Sequence, residues 1–164
     1  MAASRFSLET EALLDRAGTI CEARGARLTE LRRQVLGLVL AADGPTGAYE
    51  LLDRLRESRR GAAPPTVYRA LDFLLEHGLI HRLERMSAFV GCVAHEHEAH
   101  AAQFLICTCC HQVIELEDQG MSRALEEAAG RAGFSVSRAT VEAEGLCGSC
   151  AAGHSAGPVI AERG

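Results

Sequence analysis

Two cysteine pairs, Cys107-x2-Cys110 and Cys147-x2-Cys150, have the spacing of metal knuckles. Two residues between paired ligands let a tight turn aim both sulfurs at one point, and four thiolates close a tetrahedral shell around Zn2+. The competing chemistry is a set of disulfides or a thiol redox couple. Two features favour a reducing, cytoplasmic setting and therefore zinc. The seven cysteines are odd in number, and residues 1–25 show no basic start, long apolar core or small-residue cleavage site that would point to export. Between Cys110 and Cys147 lie 36 residues. That is more than a compact ribbon needs, so the ion is expected to pin two strands across an intervening helix. Cys109 adds a thiol beside Cys110 and is expected to point away, because neighbours on an extended segment face opposite sides.

Other residues with metal or catalytic chemistry are scattered. His81 alternates with Leu79 and Leu83 on a predicted strand and, by itself, reads as a packed histidine. Cys92 in Val90-Gly91-Cys92-Val93 reads, by itself, as a small core hydrophobe. His77, His154 and Cys21 read as structural or incidental. Signatures of zinc hydrolases and nucleobase deaminases fail: after His95-Glu96 the residue that would complete His-Glu-x-x-His is Ala99, and there is no His-x-Glu with Pro-Cys-x2-Cys. The chain is therefore not expected to be an enzyme.

The elements that must hold these residues can be read from periodicity. Apolar residues at helical spacing (Leu13, Leu14, Ala17, Ile20, Cys21) predict a first helix from Leu8 to about Arg24, stopped by Gly25. Thr29 is the expected cap of a second helix with Leu31, Val35, Leu38 and Val39 inside, and Thr46 that of a third with Ala48, Leu51, Leu52 and Leu55 inside. A fourth begins after Pro64-Pro65. It buries Val67, Ala70, Leu71, Leu74 and Leu75, leaves Tyr68, Arg69, Asp72 and Glu76 outside, and closes at Gly78. Strands over 79–86 and 88–93 with a turn at Ser87 complete the layout of a winged helix-turn-helix. Beyond it, strands over 103–106 and 112–117, a helix over 121–131 and a strand over 134–143 read β-β-α-β. The tail from Ala151 to Gly164 is small and polar and is expected to be disordered.

Charge divides along the same line. Of 164 residues, the first 85 hold 13 Arg against 12 acids, while residues 86–164 hold 4 against 10, so the overall −5 belongs to the cysteine-rich half. An acidic total therefore does not exclude nucleic acid as a partner of the first half. All 17 basic residues are Arg. Arg suits bidentate contact with phosphate and guanine, although codon bias explains a uniform preference equally well. No apolar run approaches the length of about 20 residues that a membrane span requires.

Pro64-Pro65-Thr66-Val67-Tyr68-Arg69-Ala70-Leu71-Asp72-Phe73-Leu74 followed by Gly78-Leu79-Ile80-His81 resembles the recognition helix and wing of the ferric uptake regulator family, and within it the zinc uptake regulator branch. The resemblance extends from about residue 8 to 150. It includes the Thr29 segment, Ala48-Tyr49-Glu50-Leu51-Leu52, the first cysteine pair and Gly145-Leu146-Cys147-x2-Cys150. It implies an α+β fold: an N-terminal winged helix-turn-helix DNA-binding domain over 1–93 with a hinge near 90–100, and a C-terminal α/β dimerisation domain with structural zinc over 94–150. The implied function is a zinc-responsive transcriptional repressor that binds double-stranded operator DNA as a zinc-loaded homodimer to control zinc uptake genes, with no membrane or small-molecule substrate.

By the same resemblance Cys107, Cys110, Cys147 and Cys150 are the structural site, and His81, Cys92, His100 and Glu115 form a regulatory site. One ion held by those last four would clamp the two domains. Each subunit would then carry one structural and one regulatory Zn2+. His95 and His97 are either a third, weaker site of the kind seen in this family or a solvated linker. A thiolate among nitrogen and oxygen donors favours Zn2+ over Fe2+ or Mn2+. Cys92 therefore separates this reading from an iron- or peroxide-sensing regulator on the same scaffold.

For DNA, Arg69 is the candidate for a guanine in the major groove and Tyr49 for a base or phosphate, with Thr66 on the same helix as Arg69 and Tyr68 either a further contact or packed at the helix edge. Arg27, with Arg32 and Arg33, is either a phosphate contact or part of a solvated face. A zinc-stabilised interaction module without DNA is the remaining alternative, opposed by the winged layout and the charge split.

Overall fold

The computed structural model describes residues 6–92, 102–116, 118–137 and 139–154. The chain divides into two units, Met1–His97 and Glu98–Gly164. No helix among the described residues is long and apolar enough to cross a membrane.

In the first unit Ser7 caps helix α1 (Leu8–Ala23) by accepting from the Thr10 N–H, and Glu9 and Glu11 meet the positive end of its dipole. Thr10, Leu14, Ala17 and Cys21 form its buried stripe, and Gly25 turns the chain at φ +69°. Helix α2 (Glu30–Leu40) begins after Thr29, whose side chain makes no capping bond. It is packed by α1, by α3 (Ala48–Ser58), by α4 (Pro64–Glu76) and by strand β3 (Ala88–Gly91). Burial accordingly spreads round it to Gln34, Val35, Leu36, Gly37 and Val39, rather than keeping to the single stripe that periodicity predicts.

The expected cap at Thr46 is not one. Thr46 and Gly47 form the short strand β1, paired with Phe89 and Ala88, and Gly47 is the residue that precedes α3. The Thr46 hydroxyl donates instead to the Gly44 carbonyl at 3.2 Å. Helix α4 starts with prolines in its first two positions, where the missing N–H groups cost nothing, and ends as Leu79 N–H bonds the Leu74 carbonyl at 2.9 Å around Gly78 at φ +67°. β2 (Ile80–Leu83) and β3 pair antiparallel from Ile80↔Gly91 to Leu83↔Ala88. The strands are shorter than expected because Glu84–Ser87 forms the turn, closed by Ser87 N–H on the Glu84 carbonyl. The sheet order is β1-β3-β2, and Leu14, Leu36, Leu51, Leu55, Leu71, Leu74 and Ile80 are among the fully buried core residues of this unit.

In the second unit β4 (Ala102–Cys107) is central, antiparallel to β5 (Val113–Leu116) and parallel to β6 (Thr140–Gly145). Helix α5 (Gln119–Arg131) makes the crossover, capped by the Asp118 carboxylate, which accepts from Met121 N–H at 2.8 Å. The β-β-α-β order holds, with two corrections. The last strand begins at Thr140 rather than Phe134, because Phe134 N–H returns to the Ala129 carbonyl and finishes the helix. Residues 151–154 are not tail but part of helix α6 (Gly148–His154).

His111, at the end of the β4–β5 turn, sits at φ +61°, a left-handed conformation that costs a side-chain-bearing residue about 1–2 kcal/mol. Its imidazole is exposed. His111→Gly is therefore expected to raise the stability of the zinc-loaded protein by about 0.5–1 kcal/mol, after the chain-entropy cost of glycine. Thermal melts of the two proteins check this, and a lower melting temperature for the glycine variant would mean that the imidazole makes a stabilising contact.

Candidate metal centre and nucleic-acid interface

The β4–β5 hairpin and the β6–α6 corner meet at the four cysteines. Cys107 ends β4 opposite Gly145, and Thr108 N–H bonds the Gly145 carbonyl at 2.9 Å. Parallel pairing thus brings the first knuckle beside the residues that lead into the second. Ala151 N–H on the Cys147 carbonyl turns Cys150 back toward Cys147. The four sulfurs lie within 4.8 Å of one another, and those of Cys110 and Cys147 are 3.8 Å apart. A tetrahedral ion with Zn–S bonds of about 2.3 Å requires S···S edges of about 3.8 Å, so the residues present fit that ion.

The electrostatics point the same way. Backbone N–H groups of Cys110, Cys147 and Cys109 converge on the Cys107 sulfur and bring its pKa down to about 5, with the Cys147 N–H 3.4 Å away. At Cys110 the Gln112 N–H pulls the thiol down, but the Cys107 and Cys147 sulfurs and desolvation outweigh it and push it up. Cys150 is pushed far up by Cys147 first, then by Cys109 and Cys110. Four thiolates so close repel one another, and a divalent cation between them removes that cost. Cys109 is exposed and is not one of the four mutually close sulfurs, but it lies in a turn rather than on the expected extended segment and its side chain still acts on Cys150.

In the first unit, pairing of β2 with β3 sets His81 opposite Val90. Cys92, just past β3, is buried and bonds the Leu79 carbonyl through its N–H at 2.9 Å. The metal-ligating atoms of His81 and Cys92 lie within 4.8 Å of one another, close enough for one ion to accept a nitrogen and a sulfur donor from the pair. Glu115 stands on β5 opposite Phe104, half-buried. His95, His97 and His100 lie outside the described residues.

On α4 the outward face is the predicted one, with Tyr68 44% exposed and Arg69, Asp72 and Glu76 beside it. Thr66 is half-buried in the first turn of that helix. Tyr49, in the first turn of α3, is 70% exposed. Arg27 is exposed, whereas its neighbours have structural work. Arg33 donates to Glu11 and Asp15, both at 2.7 Å, tying α2 to α1. Arg32 lies 3.6 Å over the Phe73 ring and bonds the Arg27 carbonyl at 2.7 Å. Asp53 and Arg56 pair within α3, at 3.4 Å. Sequence reasoning missed the burial of Gln34, whose only signal is a polar residue three positions after Leu31 on the apolar stripe of α2.

Residues 23–144 match the model of the ferric uptake regulator family. The zinc uptake regulation protein of Escherichia coli (strain K12) is 42% identical over 141 residues, which span 86% of this chain and 82% of that protein. Among solved structures, a zinc uptake regulator complexed with zinc and DNA superposes with a TM-score of 0.82 at 40% identity, over 91% of this chain and 99% of that one. The holo form of XcZur gives 0.76 at 46% identity, over 86% and 98%. With the family model covering most of its length and a close relative matched nearly end to end, this chain belongs to the ferric uptake regulator family.

Proposed function

We propose that the chain is a zinc-responsive transcriptional repressor, not an enzyme, which grips operator DNA as a zinc-loaded homodimer and controls zinc uptake genes in the cytoplasm. The observation that carries this reading is the buried Cys92 thiol beside the His81 imidazole. A sulfur donor in a regulatory site selects zinc over the harder divalent ions. Residues 1–93 are the DNA-binding domain, residues 94–150 the dimerisation domain, and the segment near 90–100 the hinge. Homodimerisation is supported by α5, which buries no residue of its own, and by the exposed Leu105, Ile114, Met121, Leu125 and Phe134 of the same unit.

Two zinc ions per protomer complete the proposal: one held by Cys107, Cys110, Cys147 and Cys150, and one by His81, Cys92, His100 and Glu115. Bound at the second site, Zn2+ supplies a cross-link between groups carried on both domains. His81 is held in the β2–β3 ladder and Cys92 by its N–H on the Leu79 carbonyl, so the cross-link fixes the whole reading head rather than a loose side chain. Without it the two heads of a dimer sample many separations, and only the fraction that matches two half-sites binds; ordering raises apparent affinity with no new DNA contact.

Gel shifts on genomic fragments across buffered free zinc, with iron and manganese as controls, test the reading. Zinc-dependent, salt-sensitive shifts are expected. Arg69→Ala should weaken specific binding by about 10- to 100-fold while zinc content stays the same, as loss of one base contact costs about 1–3 kcal/mol. Failure of the wild type to shift any fragment at any zinc level would leave a zinc-stabilised interaction module in its place.

A further inference from the structure

Gln34 is a primary amide on α2 that is only 6% exposed, and both ends of it are used. Its Nε2 donates to the Ser58 hydroxyl, and its Oε1 accepts from Arg59 Nε at 2.8 Å. Ser58 is the last residue of α3 and donates onward to the Leu55 carbonyl at 3.1 Å. Arg59 comes next as the C-cap. A second guanidinium, that of Arg56, donates to the Ala62 carbonyl at 3.1 Å, and Ala62 N–H bonds the Arg59 carbonyl at 2.9 Å. The connector over 59–63 is thus folded back onto α3 by hydrogen bonds whose deepest member is Gln34.

Apolar packing holds this connector only at Ala62, which is half-buried against the core. An open cleft of about 280 Å³ lined by Leu31, Arg59, Gly61, Ala62 and Thr66 lies against it, so a released connector has room to move. The connector leads directly into α4, where Ala63 offers no side-chain cap and the first two residues are Pro64 and Pro65. Proline fixes φ near −65°. The path of the connector is therefore transmitted into the first turn of the helix, which carries Thr66 and continues to Arg69.

We propose that Gln34 is a positioning residue for DNA reading: by holding Ser58 and Arg59 it sets the connector and, through Pro64-Pro65, the placement of the Thr66–Arg69 face of α4. This rests on the reading of α4 as the DNA-reading helix. Removing the amide frees the Ser58 hydroxyl and the Arg59 guanidinium, both on exposed residues that water can reach, so the connector loses its tie to α2 while the apolar core is left as it was.

The test compares zinc-loaded full-length wild type with Gln34→Leu, which keeps the volume and loses both bonds, and Gln34→Glu, whose carboxylate keeps the bond from Arg59 and accepts from the Ser58 hydroxyl in place of the Leu55 carbonyl. Two quantities are read. One is the rate of tryptic cleavage after Arg59 or Arg60, identified by mass. The other is affinity for a duplex selected from a random library on the wild type, against an unrelated duplex of equal length. Gln34→Leu is expected to speed that cleavage about tenfold and to weaken the selected duplex about tenfold, with the unrelated duplex unchanged, because positioning bears on base contacts more than on phosphate attraction. Gln34→Glu should restore both to within about threefold of the wild type.

Wild-type cleavage and binding by Gln34→Leu would overturn the proposal, as would a parallel fall in both duplex affinities, which marks a merely stabilising residue. If Gln34→Leu does not fold, Ser58→Ala removes one arm of the network and should show the same selective loss in smaller measure; no selective loss overturns the proposal. A wild type that selects no duplex would overturn the DNA reading itself and this role with it, and the cleavage data would still separate that failure from a failure of the clamp.

Discussion

Cys147→Ser is expected to cost the protein one zinc ion per protomer and, with it, the folded state of the C-terminal unit. Among the described residues that unit buries only Ala102, Gln103, Phe104, Ile106 and Cys107, all on β4, and α5 buries none. A core of one strand cannot offset the conformational entropy of some fifty ordered residues, so the metal cross-link and a partner chain must supply the difference. Serine oxygen is a poor replacement for a thiolate on Zn2+, and the substitution also unties the β6–α6 corner from the β4–β5 hairpin. Metal content by mass spectrometry and hydrogen exchange over β4 and β6 read the result; a variant with a full complement of zinc and wild-type protection would refute it. Acid should act in the same direction. Cys107, at about 5, is already a thiolate at neutral pH, whereas Cys110 and Cys150 are pushed up and must each release a proton to bind metal. Zinc affinity at this site is therefore expected to fall by at least about two decades per pH unit below neutrality, and more steeply once pH drops through the Cys107 value.

Much of this architecture is written locally. The four-cysteine site is legible because each half is a short-range pattern, two residues between ligands. Helix α4 is legible because its prolines, its apolar stripe and Gly78 agree on one start, one face and one stop. Failures occur where a residue with a strong local preference is claimed by a distant partner. Thr46 has a capping side chain, yet Phe89, 43 positions away, recruits it into a strand. Phe134 begins a run that alternates like a strand but is used to close α5. Arg33 looks like a surface cation and is an interhelical tie to Glu11 and Asp15. Gln34 breaks an apolar stripe for the sake of Ser58 and Arg59 on another helix. The proposed regulatory ligands are the extreme case: His81, Cys92, His100 and Glu115 share no short-range spacing, and His81 and Cys92 alone read as core. Resemblance to the family, not local pattern, suggested them as a set; His81 on β2 and Cys92, just past β3 and bonded to the Leu79 carbonyl, come together only in the folded hairpin.

Cys92→Ser supplies the sharpest test of the proposed regulatory site, because the two metal sites differ in what they hold. Cys92 is outside the four-sulfur group, so the variant is expected to retain its structural zinc, its dimeric state and a melting temperature within a few degrees of the wild type; the hydroxyl replaces a buried thiol of similar size. Zinc-dependent DNA affinity should nevertheless fall by about 100-fold or more at saturating structural zinc. The size comes from population arithmetic: if ordering by the second ion shifts the competent fraction from about one in a hundred to nearly all, losing that ion returns the affinity to the disordered value. Salt dependence should remain, since the phosphate contacts are untouched. Weak binding to unrelated DNA should remain for the same reason. Arg69→Ala gives the complementary pattern, with zinc uptake intact and base reading lost, so the two variants separate a failure to set the geometry from a failure to use it. Full zinc-dependent binding by Cys92→Ser would move the exchangeable site elsewhere, with His95 and His97 the next ligands to test. A loss that iron or manganese restored would show instead that the thiolate sets the choice of metal and not the coupling.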